Sequence, residues 1–327
     1  MADRTNIEWT DATWNPITGC QLASPGCKVC YAMKLAGTRM KHHWSRKGLT
    51  IETKNGPVWN GDVRFNEEWL TQPLRYSKPR MIFVCAHADL FYEKVPDEWI
   101  DRVFAVMAAS PRHIFQVLTK RPERMWDYLW RLDVEPHRYT VRRFAQAMPE
   151  AGYDNLKELT FPSPNIWLGC SVENQDWADK RRESMRMLSE IGWLTWASYE
   201  PALEPVDWRG WEFLRWMVSG GESDTDGESA RPSAPRCHRE ARDFCTANSI
   251  PYLFKQWGAF RPATETDLAG GRVAAQLVDE RHECGYYCSD EHGHVDHGGE
   301  WMLRVGKKAA GRELDGATHD GFPQVTA

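Results

Sequence analysis

A repeated strand–helix pattern dominates the chain from about residue 81 and limits the folds open to it. Six short apolar runs each end in polar residues, and stretches with helical spacing lie between them, as at residues 97–109 and 178–191. Such runs are typical of buried parallel strands. The alternation predicts an α/β fold, a partial or complete (β/α) TIM-type barrel. The runs are residues 81–85, 113–118, 165–169, 193–197, 216–219 and 251–254.

Polar and ionisable residues follow every one of these runs. Because ligand sites in parallel α/β folds form at the carboxyl ends of the strands, we expect the six clusters to meet at one mouth. The alternative is that loops are polar whatever their role, and a single cluster does not exclude it. The clusters are residues 86–89, 119–122, 171–174, 198–201, 220–223 and 255–258.

The pattern weakens in two places, which suggests a domain organisation. Residues 133–164 are polar and irregular and predict an insertion between barrel units, whereas residues 262–300 are rich in Gly, His and Asp and predict an appended region or a long loop. We therefore expect a barrel over residues 1–261 and a C-terminal extension, residues 262–327, packed on it.

The composition is that of a soluble folded protein, with 42% hydrophobic and 27% charged residues. No apolar run approaches the roughly 20 residues of a membrane span, and the start lacks a signal peptide, so we expect no membrane partner and a cytoplasmic location. The net charge of −5 argues against nonspecific electrostatic binding of nucleic acid over the whole surface. It leaves open a local basic groove or a mononucleotide substrate. The 17 tryptophans indicate core packing first and stacking on a flat substrate second.

Cysteine usage points to metal rather than disulfides. The chain has nine cysteines, an odd number unevenly spread, and Cys20, Cys27 and Cys30 lie within eleven residues. Three thiolates on one loop can hold three corners of a cubane iron–sulfur cluster and leave the fourth iron open for chemistry. Zinc with a distant fourth ligand and purely structural thiols are the alternatives.

The cysteine loop resembles that of the radical S-adenosylmethionine (SAM) superfamily. The last pair has the spacing Cys-x2-Cys, with Val29 before Cys30, and a parallel barrel is predicted to follow. The usual motif is Cys-x3-Cys-x2-Cys, whereas six residues separate Cys20 from Cys27; variants with longer first gaps are known in the superfamily. The resemblance implies a barrel of the radical SAM kind.

A closer resemblance covers most of the chain. Eight motifs occur in the order found in a phage and prophage three-cysteine-motif family, which is radical-SAM-like. This resemblance implies host cytoplasm as the location if the chain is phage-encoded. The motifs are residues 6–20, 89–91, 118–122, 171–174, 200–201, 220–223, 254–258 and 306–316.

The superfamily implies two cofactors and a mechanism. Cys20, Cys27 and Cys30 would hold a [4Fe-4S] cluster, whose open iron binds the amino and carboxylate groups of SAM. An electron from a donor such as flavodoxin or ferredoxin then cleaves SAM to a 5′-deoxyadenosyl radical, which abstracts an unactivated hydrogen. The protein positions the substrate and excludes water.

Further site residues follow from the resemblance and from residue type. By resemblance, Asp89 would meet the methionine amino group, and Ser171, Glu173 and Asn174 would hold the ribose. From residue type, Glu200 could orient SAM, bind a substrate amine or pair with a nearby cation. The other candidates are Gly220, Gly221 and Glu222 for close approach to adenine or substrate, and Lys120, Arg121 and Lys255 for an anionic substrate, against the alternative of solvated loop charges.

The remaining cysteines carry weaker signals. Cys85 and Cys170 fall in or just after strands and are expected to be buried small apolar residues. A second metal site and a His-rich exposed loop both remain open for one cluster near the C-terminus, since its spacing matches no zinc pattern. This cluster consists of His282, Cys284, Cys288, His292, His294 and His297.

These observations together predict a radical SAM enzyme acting on a modified nucleotide or DNA base in phage DNA hypermodification. One concrete form is an isomerase that moves an aminoacyl adduct on a modified thymidine from nitrogen to carbon. One alternative is radical SAM repair of a DNA lesion, similar to spore photoproduct lyase. Another is a non-catalytic, zinc-stabilised binding module.

Overall fold

The computed structural model describes residues 5–134, 143–144, 146–148, 161–225, 230–264, 266–267, 275–278, 284–287 and 300–324. The strands are β1 Ala12–Trp14, β2 Ile17–Thr18, β3 Thr50–Thr53, β4 Gly56–Trp59, β5 Arg64–Phe65, β6 Met81–Val84, β7 Ile114–Thr119, β8 Ile166–Val172, β9 Leu194–Tyr199, β10 Trp216–Gly220, β11 Tyr252–Gln256, β12 Phe260–Pro262, β13 Ala275–Val278, β14 Cys284–Tyr287 and β15 Glu300–Arg304. The helices are α1 Tyr31–Gly37, α2 Glu67–Leu70, α3 Asp97–Ala108, α4 Pro122–Val134, α5 Gln175–Glu190, α6 Pro235–Ala247 and α7 Lys307–Ala310.

A curled sheet of seven parallel strands forms the body of the protein. Its order, β1-β6-β7-β8-β9-β10-β11, follows the chain, and each neighbouring pair is parallel. β1 and β11 are the two edges, so the sheet is a half-barrel. The predicted α/β class is confirmed, as are the six predicted strands, which correspond to β6 to β11, and the two predicted helices, α3 and α5.

The two faces of the sheet have separate apolar cores, because successive strand residues point to opposite sides. Val84, Val117 and Leu168 belong to the larger core, which includes apolar residues of the flanking helices. The other core is built around tryptophans. The ring centroids of Trp196 and Trp216, for example, are 5.0 Å apart. Core packing, the first expectation for tryptophan, is confirmed for these residues. Cys85 and Cys170 are buried, as expected.

The C-terminal part of the described chain forms a second sheet and then returns to the first. The order β12-β15-β13-β14 is antiparallel. Beyond it, the N–H of Phe254 in β11 donates to the carbonyl of His319 at 3.0 Å, and the N–H of Gly321 donates to the carbonyl of Tyr252 at 2.9 Å. β12 crosses the boundary expected after residue 261, and the division into domains stays a prediction.

Two sequence expectations fall mainly outside the described residues. α4 ends at Val134, and the rest of the insertion expected at residues 133–164 is described only at 143–144, 146–148 and 161–164. Of the proposed second metal cluster, Cys284 is described only as a backbone position in β14, and the other members lie outside the described residues. Among the described helices, none has both the length and the apolarity needed to cross a membrane.

Gly169 in β8 tests the packing of the tryptophan core. A Cβ at this position would lie 2.2 Å from Cε2 of Trp196, which is too close for any real contact. We expect Gly169→Ala to lower the free energy of unfolding by about 1–3 kcal/mol, since the buried ring must move. Urea denaturation measures the change.

The second variant in this test is Trp196→Leu, which removes the ring. In that background Gly169→Ala should cost clearly less than in the wild-type chain, because the two positions are in contact. Equal losses in both backgrounds would show that the ring is not what the methyl group meets.

Candidate cofactor and substrate site

A cavity of about 560 Å³ lies at the carboxyl ends of the parallel strands. Cys20, Cys27 and Cys30 line it, together with most of the residues predicted from the sequence. The half-barrel thus brings strand-end clusters that are far apart in the chain to one mouth. The other predicted residues in the lining are Asp89, Lys120, Arg121, Ser171, Glu200, Gly221, Glu222 and Lys255.

Three predicted residues are not in the cavity lining. Glu173 is fully buried beneath it. Asn174 is the N-cap of α5, and its side-chain oxygen accepts a hydrogen bond from the N–H of Trp177 at 3.1 Å. Gly220 ends β10, and a Cβ there would lie 3.2 Å from Oε1 of Glu200, so the glycine leaves room for that carboxylate.

The three cysteines sit on one short loop and form no disulfide. A single 3-10 turn, Pro25–Cys27, holds the middle of the loop, and Cys30 is the N-cap residue of α1. Sγ of Cys27 accepts a hydrogen bond from the N–H of Ala23 at 3.4 Å. Backbone N–H groups directed at sulfur are among the contacts that tune iron–sulfur clusters.

The three thiols are close enough to influence one another. Burial raises the pKa of Cys20, as does Asp89, whereas Arg121 lowers it; the charges of Cys27 and Cys30 raise it further. Burial is also the main cause that raises the pKa of Cys30. Burial therefore favours the neutral form of the Cys20 and Cys30 thiols. Metal binding requires thiolates, so loading this loop must release protons.

The donor set of the loop is three thiols, the residue type that holds iron–sulfur clusters. In the part of the chain that the structure describes, no group of three or more His, Cys, Asp or Glu side chains is placed to hold a metal ion. Zinc would require its ligands to gather at about 2.0–2.3 Å around one point. A cubane instead puts each thiolate on a different iron and so accepts a wider spacing. Three neighbouring free thiols at a cavity satisfy that chemistry.

The carboxylate of Glu173 holds the cysteine loop to the sheet. Oε1 accepts a hydrogen bond from Oγ of Ser24 at 2.6 Å and also pairs with Nζ of Lys120. Oε2 accepts from Nη1 of Arg181 at 2.7 Å. Burial alone would raise the pKa of Glu173, but Lys120 and Arg181 outweigh it and lower the pKa to about 2. Glu173 is thus ionised and tied to the loop, the sheet and α5 at once.

Gly26 allows this close contact. A Cβ on Gly26 would lie 2.8 Å from Oε1 of Glu173 and 3.1 Å from Pro201. Any larger residue would push the loop, with the adjacent Cys27, away from the sheet. The loop backbone is held from another side by Arg231, whose Nη2 donates to the carbonyl of Pro25 at 3.1 Å while its guanidinium pairs with Glu222.

Asp89 is occupied by the protein's own donors. Oδ1 accepts from Oγ1 of Thr119 at 2.6 Å and from the N–H of Phe91 at 3.0 Å. Oδ2 accepts from the N–H of Lys120 and from Nη1 of Arg121, both at 3.0 Å. Four donors fill a carboxylate. In this structure Asp89 therefore fixes the loops after β6 and β7.

Arg121 extends this network to the cysteine loop. Its Nη2 donates to the carbonyl of Gln21 at 3.2 Å, and its Nε pairs with Glu93. Tyr92 lies beneath the guanidinium, 4.7 Å from its carbon to the ring centroid, and its hydroxyl donates to Oε1 of Gln21 at 2.8 Å. Arg121 is a positioning residue for the loop that carries Cys20.

Glu200 and Lys255 form an ion pair on the cavity wall. Nζ of Lys255 donates to Oε1 of Glu200 at 2.5 Å. Among the described residues, Lys255 is the one hydrogen-bond partner of the Glu200 carboxylate, in contrast to the four donors on Asp89. Glu200 thus has a cationic partner, one of the three roles considered from its residue type, and it keeps further acceptor capacity at the cavity wall.

His87 is a cavity residue that the sequence reasoning did not assign. Nη2 of Arg46 lies 2.9 Å from Nδ1 of His87. A guanidinium can only donate, so Nδ1 accepts and the ring proton resides on Nε2. Burial, and to a smaller extent the charge of Arg46, lower the pKa of His87 to about 3. His87 is therefore a neutral hydrogen-bond donor. The loop at residues 86–89 was a visible signal, but its partner Arg46 lies 41 positions away in a stretch with no predicted element.

The comparisons with known proteins identify a family rather than an activity. A family model described as "Protein of unknown function (DUF5131)" matches residues 4–323. No curated protein matches this chain. A solved structure of a spore photoproduct lyase mutant is similar at 9% sequence identity and a TM-score of 0.34, and the match covers 88% of this chain and 67% of that one.

The role of Glu173 predicts a pH-dependent stability difference. Its pKa is about 2 in the folded chain against 4.5 for a free side chain. A depressed folded-state pKa stabilises the protein above the unfolded value, and the contribution is lost as the pH falls toward 2. We expect Glu173→Gln to cost on the order of 3 kcal/mol at pH 7. The difference in the free energy of unfolding between this variant and the wild-type protein should become smaller below about pH 4.5.

Urea unfolding between pH 7 and 3 measures this gap. The matched control is Glu190→Gln at the exposed end of α5, which should change stability by no more than about 0.5 kcal/mol. A Glu173→Gln gap that stays constant with pH would show that packing, rather than the ionised carboxylate, holds the loop.

Proposed function

We propose that this chain, which belongs to the family described as "Protein of unknown function (DUF5131)", is a radical SAM enzyme. The observation that carries the proposal is the placement of Cys20, Cys27 and Cys30: three neighbouring free thiols on one clamped loop, facing a large cavity at the carboxyl ends of parallel strands. These thiolates would hold a [4Fe-4S] cluster and leave one iron open.

When bound, the cluster and SAM together supply a carbon radical that abstracts an unactivated hydrogen. The chain's own residues then have three tasks: to hold the ligand loop, to orient SAM and to keep water from the reacting atoms. The first task falls to Glu173, Arg121 and Arg231, whose hydrogen bonds reach the loop from different elements.

The second task suits the Glu200–Lys255 pair. The methionine part of SAM is an α-amino acid, so it presents an ammonium and a carboxylate side by side. Glu200 would accept hydrogen bonds from the ammonium, and Lys255 would donate to the carboxylate. This assignment takes the amino-group contact from Asp89, whose four partners leave it no free acceptor.

Hydroxyl and amide groups around the cavity would hold the rest of SAM. Ser171 near the end of β8 stays our candidate for a ribose hydroxyl, and Gly221 and Glu222 stay candidates for the adenine side. His87 would donate from Nε2 to an acceptor on the cofactor or the substrate. Glu173 and Asn174 have partners within the chain and would act indirectly, by fixing the loop and α5.

For the substrate we propose a modified nucleotide or DNA base, with isomerisation of an aminoacyl-thymidine adduct in phage DNA hypermodification as the concrete form. The motifs shared with the phage family support the context, and a volume of about 560 Å³ is that of a small-molecule site. Cavity cations, among them Lys120, Lys255 and Lys307, alternate with carboxylates, which suits a polar, nearly neutral group such as a base.

The cysteines give the direct test. We expect Cys27→Ala, reconstituted without oxygen, to lose the bound iron and sulfide and the brown colour of the wild-type protein. It should also lose the formation of 5′-deoxyadenosine from SAM after reduction, measured by mass spectrometry. The control is Cys245→Ala, since Cys245 is buried in α6 beside Met217; it should keep its iron. Wild-type protein that binds zinc and no iron would refute the proposal.

Glu200 tests the orientation of SAM. We expect Glu200→Gln to weaken SAM binding by about 10-fold, because a charge-assisted hydrogen bond to the ammonium is lost. Isothermal titration of the reconstituted protein measures the affinity, and the iron content should be unchanged. Glu98→Gln, at the exposed start of α3, is the control. An unchanged affinity would remove Glu200 from the SAM site.

A further inference from the structure

We propose that residues 31–65 bind single-stranded DNA and present one of its bases to the cavity. The inference rests on the proposed function, since it names the polymer that would carry the substrate base. We call these residues the basic segment. They comprise α1, the turns after it, the β3–β4 hairpin and β5, and they connect the cysteine loop to the strands that follow.

Charge separates this segment from the rest of the chain. It carries seven Lys and Arg against two Asp and Glu, a net charge of +5, whereas the whole chain carries −5; the other 292 residues therefore carry −10. Lys and Arg that neutralise phosphates provide the main, salt-dependent part of nucleic-acid affinity. An acidic remainder disfavours phosphate binding elsewhere and so favours the basic segment.

Four of the seven cations of the segment are available to a ligand. Arg39, Lys41, Lys47 and Lys54 are exposed. Within the part of the chain that the structure describes, none of them has a carboxylate at salt-bridge distance. The cavity cations differ, because Lys120 and others are paired with carboxylates. Phosphates would thus be held outside the cavity, and a base would fit within it.

The positive charges are mounted on an ordered scaffold. Successive turns are closed by hydrogen bonds from the N–H of His43 to the carbonyl of Met40 and from the N–H of Arg46 to the carbonyl of His43, both at 2.9 Å. The guanidinium of Arg64 donates to the carbonyls of Trp44 and Lys47 at 2.5 and 2.8 Å. The charges are therefore held close together before any ligand arrives.

An exposed aromatic ring lies among these charges. Trp44 is 45% exposed, and its ring is supported by Trp69 at 4.9 Å and His43 at 5.5 Å between centroids. Supported aromatic rings beside cations are the stacking platforms of single-strand binding proteins, and they accept any base. A strand with unpaired bases uses this ring, whereas a duplex hides its bases.

The segment also reaches the cavity directly. Arg46 donates to His87, and Tyr31 packs edge-on against His87 with 5.8 Å between the ring centroids. Tyr31 and Trp59, both in the basic segment, line the cavity. A strand held on this surface would have one nucleotide at the mouth, in reach of the group that the enzyme modifies.

The experiment measures the binding of a fluorescently labelled single-stranded DNA by anisotropy over a range of salt concentrations. We expect Lys41→Glu combined with Lys47→Glu to weaken binding at least 10-fold at low salt and to reduce the slope of log K against log salt by about two. Trp44→Ala should weaken binding about 10-fold with little change in the slope.

The matched control reverses two charges elsewhere, Lys78→Glu with Lys180→Glu. Lys78 is exposed and precedes the amino end of β6, whereas the cavity lies at the carboxyl ends of the strands, and Lys180 is exposed on α5. This variant should bind DNA within about 3-fold of wild type, as expected for screened, distant charges. An equal loss in both charge reversals, or tighter binding of RNA or duplex than of single-stranded DNA, would overturn the inference.

Two further measurements separate this inference from the proposed function. Iron content and 5′-deoxyadenosine formation without DNA should match wild type in every surface variant. A protein that holds iron and cleaves SAM but does not bind DNA would refute the DNA surface alone. A protein that binds DNA through Lys41, Lys47 and Trp44 but holds no iron would refute the enzyme and leave the surface.

Discussion

The arrangement of the site depends on the hydrogen bonds and ion pairs of one buried carboxylate, that of Glu173. The cysteine loop has only one short turn of regular structure between β2 and α1. Polar contacts fix its position. The hydroxyl of Ser24 donates to one oxygen of Glu173, and Arg181 donates to the other oxygen. A buried charge is costly unless it is paired. The same network therefore removes that cost and fixes the loop that carries the thiols.

The charged residues of the cavity follow the same rule. Sequence reasoning identified Lys120, Arg121 and Lys255 as cations for an anionic substrate, but each forms an ion pair with a carboxylate of the chain. Buried pairs are weak evidence of stability, yet they fix geometry. The pairs position the cysteine loop and the cavity wall and leave the interior nearly balanced in charge. The exposed cations that we propose bind DNA lie outside the cavity, on the basic segment.

How much could be predicted from the sequence depended on whether the signal was local. The strands β6 to β11 carry apolar runs, and the cysteines are adjacent, so both could be identified. The β3–β4 hairpin could not, because Thr50–Thr53 is mostly exposed and shows no alternation. Pairings such as Ser24 with Glu173, 149 positions apart, arise only from the fold. Asp89 illustrates the limit: the family resemblance suggested a contact with SAM, and the four donors around its carboxylate become visible only in the fold.

The position of the basic segment in the chain links recognition to chemistry. α1 begins directly after Cys30, so any force on the segment acts on the cysteine loop through a single helix. Tyr31, the first residue of α1, donates its hydroxyl hydrogen bond to the carbonyl of Ala86, next to His87. Tyr31 and His87 are therefore already held together at the point where the loop after β6 meets the cavity. A strand bound as we propose would meet the cavity at this preformed contact, and a base that entered there would displace water from the site.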